Sequence, residues 1–153
     1  FFFSYPLIIN FIFNCETSVK SKTNKRDEKK QFRWLKRKLK HAKFSDVIIV
    51  FTHYPFFIKD FDENENYSNQ SKKDRSKYFT LFKKYGVDAI FAGHLHNNAE
   101  SSYNDIDMIT TNAAGRPLGK AEPGYRLIEI KNSKLSTKYI NTLINSTVLE
   151  TSY

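Results

Sequence analysis

An α/β fold follows from three features of the sequence. Asp46–Thr52 is continuously apolar and β-branched, the pattern of a strand buried on both faces, and Val87–Ala92 reads as a second such strand. Two segments between and before these runs carry apolar residues at three- and four-residue spacing, the mark of amphipathic helices. The last third of the chain turns to short, partly alternating runs that read as strands with one wet face. The expected order is strand, helix, strand, helix, strand, then three more strands. That is half of a layered α/β structure with an appended β run. At 153 residues the chain fits one domain able to bury a core.

The elements follow in order. Residues 1–13 are almost wholly apolar, and Leu7–Phe13 reads as a buried strand after a short lead. The run lacks the basic start and small-residue cleavage site of a signal peptide. It contains Pro6 and is shorter than the roughly 20 apolar residues of a membrane helix. It therefore reads as the interior of a domain. Residues 14–26 are polar and read as a surface loop. A helix is expected over Asp27–Lys43, with Phe32, Leu35, Leu39 and Ala42 on one face, Trp34 beside them, and Lys and Arg opposite. Asp27 and Glu28 suit its positive end. Pro55 ends the strand that begins at Asp46, since proline cannot donate to a ladder.

Phe56–Asn69 has no periodicity and is expected to lie over the surface near the strand end as a functional or mobile loop. A second helix is expected over Lys72–Tyr85, with Tyr78, Leu81, Phe82 and Tyr85 inward and Gly86 closing it. The later strand-like runs are Asp105–Asn112, Tyr125–Lys131 and Leu135–Ile140, the last two joined by an Asn132-Ser133 hairpin turn. Residues from Asn141 onward are weakly patterned and are expected to fray.

The net charge is +9, but Lys and Arg are scattered over two helices with no nucleic-acid module, so solvated helix faces are the simpler reading. No nucleic-acid or membrane partner is expected. A single cysteine, Cys15, permits no disulfide within the chain and suits a reducing, cytoplasmic setting. The sequons at Asn66 and Asn145 are what an Asn-rich chain produces by chance.

Chemistry concentrates at two strand ends. Phe51-Thr52-His53-Tyr54-Pro55 follows the first buried strand and Gly93-His94-Leu95-His96 follows the second. Neutral imidazole is a good ligand for zinc, iron or manganese. A lone His-x-His is most often two loop histidines. Here two separate strand ends deliver three of the four histidines to one rim, where sites of open α/β sheets form. Gly93 would let the backbone pass close to bound ions. His41 reads as a surface residue of the basic helix.

This pair of strand ends resembles the last two metal motifs of the calcineurin-like metallophosphoesterases, the superfamily that includes purple acid phosphatases. Phe51–Lys59 with its acidic continuation Asp60–Tyr67, Phe91–Ala99 and Asp107–Gly119 are similar to stretches of a serine/threonine phosphatase branch of that family, and the Trp34-Leu35 helix fits it. The resemblance runs from about Leu7 to Ile130. It implies the C-terminal half of a four-layer α/β/β/α metallophosphoesterase sandwich. It also implies hydrolysis of phosphomonoesters at two divalent or trivalent transition-metal ions (Mn, Fe or Zn), and a phosphoprotein as partner. His53 and His94 would hold one ion and His96 its neighbour. Asn97 and Arg116 could reach the phosphate, with loop capping and a plain surface position as their simpler readings.

The family's opening motifs, Asp-x-His, Gly-Asp and Gly-Asn-His, are absent. They carry the bridging aspartate, the asparagine ligand and the histidine that assists the leaving group, so no catalytic residue is assigned here. Three neutral imidazoles supply no charge to offset two dications. At most one ion, weakly held, and little phosphatase activity are expected. The alternatives are a catalytically incomplete remnant or interaction module of the same fold, and a relative of the secreted purple acid phosphatases, which would carry a signal peptide. Strands that expect neighbours on both sides would also leave an apolar sheet edge, an aggregation hazard.

Overall fold

The computed structural model describes residues 8–13, 25–118 and 120–143. The elements are β1 (Ile8–Phe13), α1 (Lys25–Ala42), β2 (Val47–Thr52), α2 (Lys72–Tyr85), β3 (Ala89–Ala92), β4 (Ala99–Tyr103), β5 (Ile106–Thr110), β6 (Gly124–Lys131) and β7 (Lys134–Asn141). Five strands form one sheet in the order β1-β2-β3-β5-β4. The first four in that order run parallel, and β4 lies antiparallel at the outer edge of β5. β6 and β7 form a separate antiparallel ribbon.

Each layer follows from what its residues must bury. β2 carries side chains alternately to two faces, and both are covered. Ile48 and Val50 join Leu35, Leu39 and Ala42 of α1, the aromatic face of α2, and Ile90 and Met108 in the larger core. Val47 and Ile49 join Ala89, Phe91 and Ile109 on the opposite face, where Ile128, Ile130 and Leu135 of the ribbon pack against them. Helices, parallel sheet and ribbon make three layers. These correspond to three of the four layers of the α/β/β/α sandwich that the sequence predicts.

The helix ends are chemically marked. Ser71 caps α2 by accepting from the Asp74 N–H at 3.1 Å and donating its hydroxyl to the Asp74 carboxylate at 2.7 Å. Gly86 closes the helix in the left-handed region at φ 71°, as the sequence predicts. The ribbon turns at Asn132-Ser133, φ 50° and 59°, the expected two-residue hairpin. Gly124 has a stricter reason: a Cβ there would collide with the Ile140 carbonyl and the Tyr139 ring.

Three sequence expectations need correction. Four strands, not three, follow β3. The additional strand, β4, pairs with β5 across an Asn104-Asp105 turn with φ 52° and 62°. Val87 and Asp88 precede β3 instead of opening it: the Asp88 carboxylate accepts from the Ile48 N–H at 2.7 Å, and the Asp88 N–H donates to the Ile48 carbonyl at 3.0 Å. The connection after Pro55 does not simply lie over the surface. Phe56 and Phe57 are wholly buried in the larger core, among Tyr78, Phe79 and Phe82. α1 begins and ends within two residues of its expected bounds. Leu7, Cys15 and the segment 144–153 lie outside the described residues.

Candidate metal centre

Parallel pairing places the site. Thr52 lies opposite Ala92 in the β2–β3 register, so the two chains leave the sheet side by side. The Gly93 N–H donates to the His53 carbonyl at 3.1 Å, tying the two exits together. The His53 and His94 rings meet edge to face, with centroids 5.2 Å apart. His53 is exposed, while His94 and His96 are half-buried.

The Gly-His-Leu-His segment is tightly folded. The Leu95 N–H donates back to the Gly93 carbonyl at 2.7 Å. His94 and His96 both adopt positive φ, 60° and 49°, which residues other than glycine adopt uncommonly. Two such residues within three positions is strain of the kind that collects at functional sites, on the order of 1 kcal/mol or more each. Gly93 itself needs no special room, since a Cβ there would meet no atom within 4 Å.

His96 is oriented by a carbonyl from a distant loop. His96 directs Nδ1 at the Arg116 carbonyl, 2.7 Å away. A carbonyl can only accept, so Nδ1 carries the hydrogen and Nε2 is left as the lone-pair nitrogen. His94 lies beside the segment that carries Tyr67. Its ring lies against Tyr54, centroids 3.7 Å apart, with the exposed ring of Tyr67 at 5.2 Å. Burial first, then the neighbouring imidazoles of His53 and His96, push His94 below the usual histidine range. The ring is therefore held neutral, the form that binds metals.

The loop contacts continue outward. The Leu118 N–H donates to the His96 carbonyl at 2.8 Å. Asn112, buried at the end of β5, donates to the Ala121 and Glu122 carbonyls at 3.2 and 2.9 Å, and accepts from the Ala113 N–H at 2.8 Å. Its own N–H donates to the Asn98 side chain at 3.1 Å. Asn112 thus fastens the 113–122 loop to the segment that carries the histidines.

The structure brings His53 and His94 together, and His96 follows two residues on with Nδ1 turned to the Arg116 carbonyl. It gives the two proposed phosphate contacts other tasks. The Asn97 side chain accepts from the Asn98 N–H at 2.9 Å, a local loop cap. Arg116 is exposed, and its contribution to the site is its backbone carbonyl. His41 is exposed on α1, as expected. Sequence reading missed Tyr54 and Tyr67 against His94, and Asn112 behind the loops. The only available signal for the tyrosines was their adjacency to the His53 and acidic-loop motifs.

The donor chemistry fits one ion better than two. Two imidazole nitrogens about 2.0–2.1 Å from one tetrahedral ion hold their ring centroids roughly 5 Å apart, close to the His53–His94 spacing of 5.2 Å. Among the described residues no set of three or more His, Cys, Asp or Glu side chains is arranged to hold an ion. A cleft of about 350 Å³ opens beside these strand ends, lined by Thr52, Gly93, Thr111, Asn112 and Arg126, and it reaches none of the three histidines.

Comparison with known proteins follows the same lines. Residues 4–98 match the family model described as calcineurin-like phosphoesterase. The serine/threonine-protein phosphatase CPPED1 of Rattus norvegicus is 35% identical over 111 residues, covering 71% of this chain and 36% of the relative. CPPED1 of Homo sapiens is 35% identical over 112 residues, with the same coverage, 71% and 36%. CPPED1 of Danio rerio is 32% identical over 108 residues, covering 69% and 35%. This chain therefore spans about a third of the length of the curated relatives it matches. Among solved structures, "GAP50 the anchor in the inner membrane complex of Plasmodium" superposes with a TM-score of 0.67 at 23% identity, covering 88% of this chain and 45% of that one. At that identity the likeness speaks to the fold.

Proposed function

The chain belongs to the calcineurin-like phosphoesterase family, and from that premise we propose that it contributes the histidine side of a metal-dependent phosphomonoesterase centre acting on phosphoserine or phosphothreonine in proteins. The observation that supports the reading is the meeting of His53 and His94 at adjacent strand ends, with His96 turned by the Arg116 carbonyl from another loop. Metal-bound histidines usually give their second ring nitrogen to such an acceptor.

A bound transition-metal ion would supply Lewis acidity toward the phosphoryl oxygens and lower the pKa of water. The chain's own residues do the rest of what can be assigned. His53 and His94 would hold the ion as ligands, with His96 beside them. The Arg116 carbonyl fixes the ring of His96. The rings of Tyr54 and Tyr67 lie against His94. The exposed Arg116 side chain would meet a phosphate oxygen only by turning inward. The second ion of the family and its bridging carboxylate have no donor among the described residues.

The test is binding of orthovanadate, a phosphate mimic, to the chain with and without Mn²⁺ or Zn²⁺. Metal-dependent binding, slow turnover of a phosphoserine peptide, and loss of both in His94→Ala are expected. Vanadate binding that needs no metal, or none in either condition, contradicts the reading.

A second reading, a catalytically incomplete relative or interaction module of the same fold, is favoured by the lack, among the described residues, of any set of three or more His, Cys, Asp or Glu side chains arranged to hold an ion. It predicts the same melting temperature with and without metal. The first reading predicts that metal raises it, because a ligand of the native state stabilises that state.

A further inference from the structure

A groove of about 420 Å³, within the size range of small-molecule sites, opens between the outer side of α2 and the β4–β5 turn. It lies away from the histidines. Asp107 stands opposite Ala89 at the start of β3, and the β4–β5 turn lies beyond that pair, whereas the histidine segment follows Ala92 at the other end of the strand. Tyr103 and Asn104 of the groove also come after residue 98, the last that the family model matches.

Three kinds of chemistry line it. The first is aromatic. The Phe61 and Tyr103 rings stack with centroids 3.7 Å apart and planes 9° from parallel, and buried Phe79 meets both edge to face at 5.3 and 5.8 Å. Phe61 and Tyr103 are only half-buried, so ring surface stays open to a ligand. The second is a pair of hydroxyl oxygens one helical turn apart. Ser76 donates its hydrogen to the Lys72 carbonyl at 3.0 Å and Thr80 to the Ser76 carbonyl at 2.7 Å, which leaves both oxygens as acceptors. The third is cationic. Lys83 and Lys84 follow on the next turn, and neither forms an ion pair among the described residues. No Asp or Glu lines the groove.

A ligand that satisfies all three has a flat ring, hydroxyl donors and an anion. Inorganic phosphate would meet the lysines alone. We propose that the groove binds a nucleoside monophosphate, with its base on the stacked rings of Phe61 and Tyr103, a ribose hydroxyl donating to Thr80 Oγ1, and its phosphate on Lys83 and Lys84. Base stacking and charge-assisted bonds to phosphate supply most of the affinity. This site is independent of the metal centre proposed above.

The test is calorimetric titration of the full chain with adenosine monophosphate in EDTA, so that no metal can link the phosphate to the histidines. One site is expected, about tenfold tighter than for ribose phosphate, which lacks the base. Joint replacement Lys83→Gln and Lys84→Gln should weaken binding about tenfold or more, as loss of bonds to a charged group does. Thr80→Val keeps the side chain's shape and removes the oxygen; it should weaken the nucleotide about fivefold and leave dideoxyadenosine monophosphate, which lacks both ribose hydroxyls, unchanged. All three positions are exposed, so these variants should melt with the parent and report the site itself. His94→Ala should bind as the parent does. No binding by the parent, ribose phosphate or phenyl phosphate binding as tightly as the nucleotide, equal weakening of both nucleotides by Thr80→Val, or loss of binding in His94→Ala would each overturn the proposal.

Discussion

Replacing Arg75 by methionine isolates what the guanidinium does. Methionine keeps most of the buried stem and removes all three donors, so the Phe61, Glu63 and Gln70 carbonyls lose their partner together. The Gln70 bond is fully buried, and an orphaned carbonyl there costs about 2–3 kcal/mol. The other two are part-buried, and water can replace the guanidinium at a cost of about 1 kcal/mol each. The apolar methionine recovers about 1 kcal/mol by burial. The net loss is about 3–4 kcal/mol, a large share of the 5–15 kcal/mol typical of a domain. With a urea slope of about 2 kcal/mol/M, the unfolding midpoint falls by roughly 1.5–2 M. Urea titration followed by far-UV circular dichroism measures this directly. A loss under about 1 kcal/mol would refute the reasoning, because it would mean that the loop carbonyls find water and the guanidinium holds nothing.

Four further outcomes follow from the same contacts. The summed hydrogen bonds to Glu63 outweigh its burial and hold its carboxyl below the usual glutamate range. Its stabilisation is present above the ordinary value of 4.5 and is lost as pH falls through the lower folded value, so Glu63→Gln should flatten the acid limb of the melting temperature against pH; an unchanged limb contradicts this. Asn112→Ala removes three side-chain bonds at a buried position and should cost about 2 kcal/mol in chemical denaturation, with a loss below half of that counting against its fastening role. Asp105→Gly relieves a positive φ in the β4–β5 turn and should raise stability by about 1 kcal/mol, where a fall would show that the Asp105 side chain matters more than its backbone. Arg116→Ala keeps the carbonyl that orients His96, so metal affinity should stay within about threefold, well inside the 10-fold expected for loss of an outer-shell partner.

What could be read from the sequence was whatever depends on neighbours along the chain. Val47–Thr52 and the end of β3 announce themselves as central strands because nothing but a covered sheet accommodates such runs. Their parallel pairing then follows from the helix between them, and with it the meeting of His53 with His94. Gly86 and Asn132-Ser133 were legible because their backbone geometry is a property of the residues themselves. β4 was not: Ala-Glu-Ser-Ser-Tyr is a polar edge strand, with no continuous apolar pattern and only the Asn104-Asp105 turn to mark it. The Arg75 contacts were also out of reach. Arg75 looks like one more basic residue of a lysine-rich helix until Phe61, 14 positions back, and Glu63, 12 back, fold onto it. The same holds for the orienting carbonyl of Arg116, since a backbone acceptor 20 residues from His96 leaves no trace in residue type.

The proposed centre is a single ion held by His53 and His94, with His96 beside them. Calorimetric titration of the full chain with Zn²⁺ tests it most directly. The account predicts a single site of modest affinity, abolished when all three histidines are replaced by alanine. Two tight sites, or binding that survives the triple replacement, would contradict it.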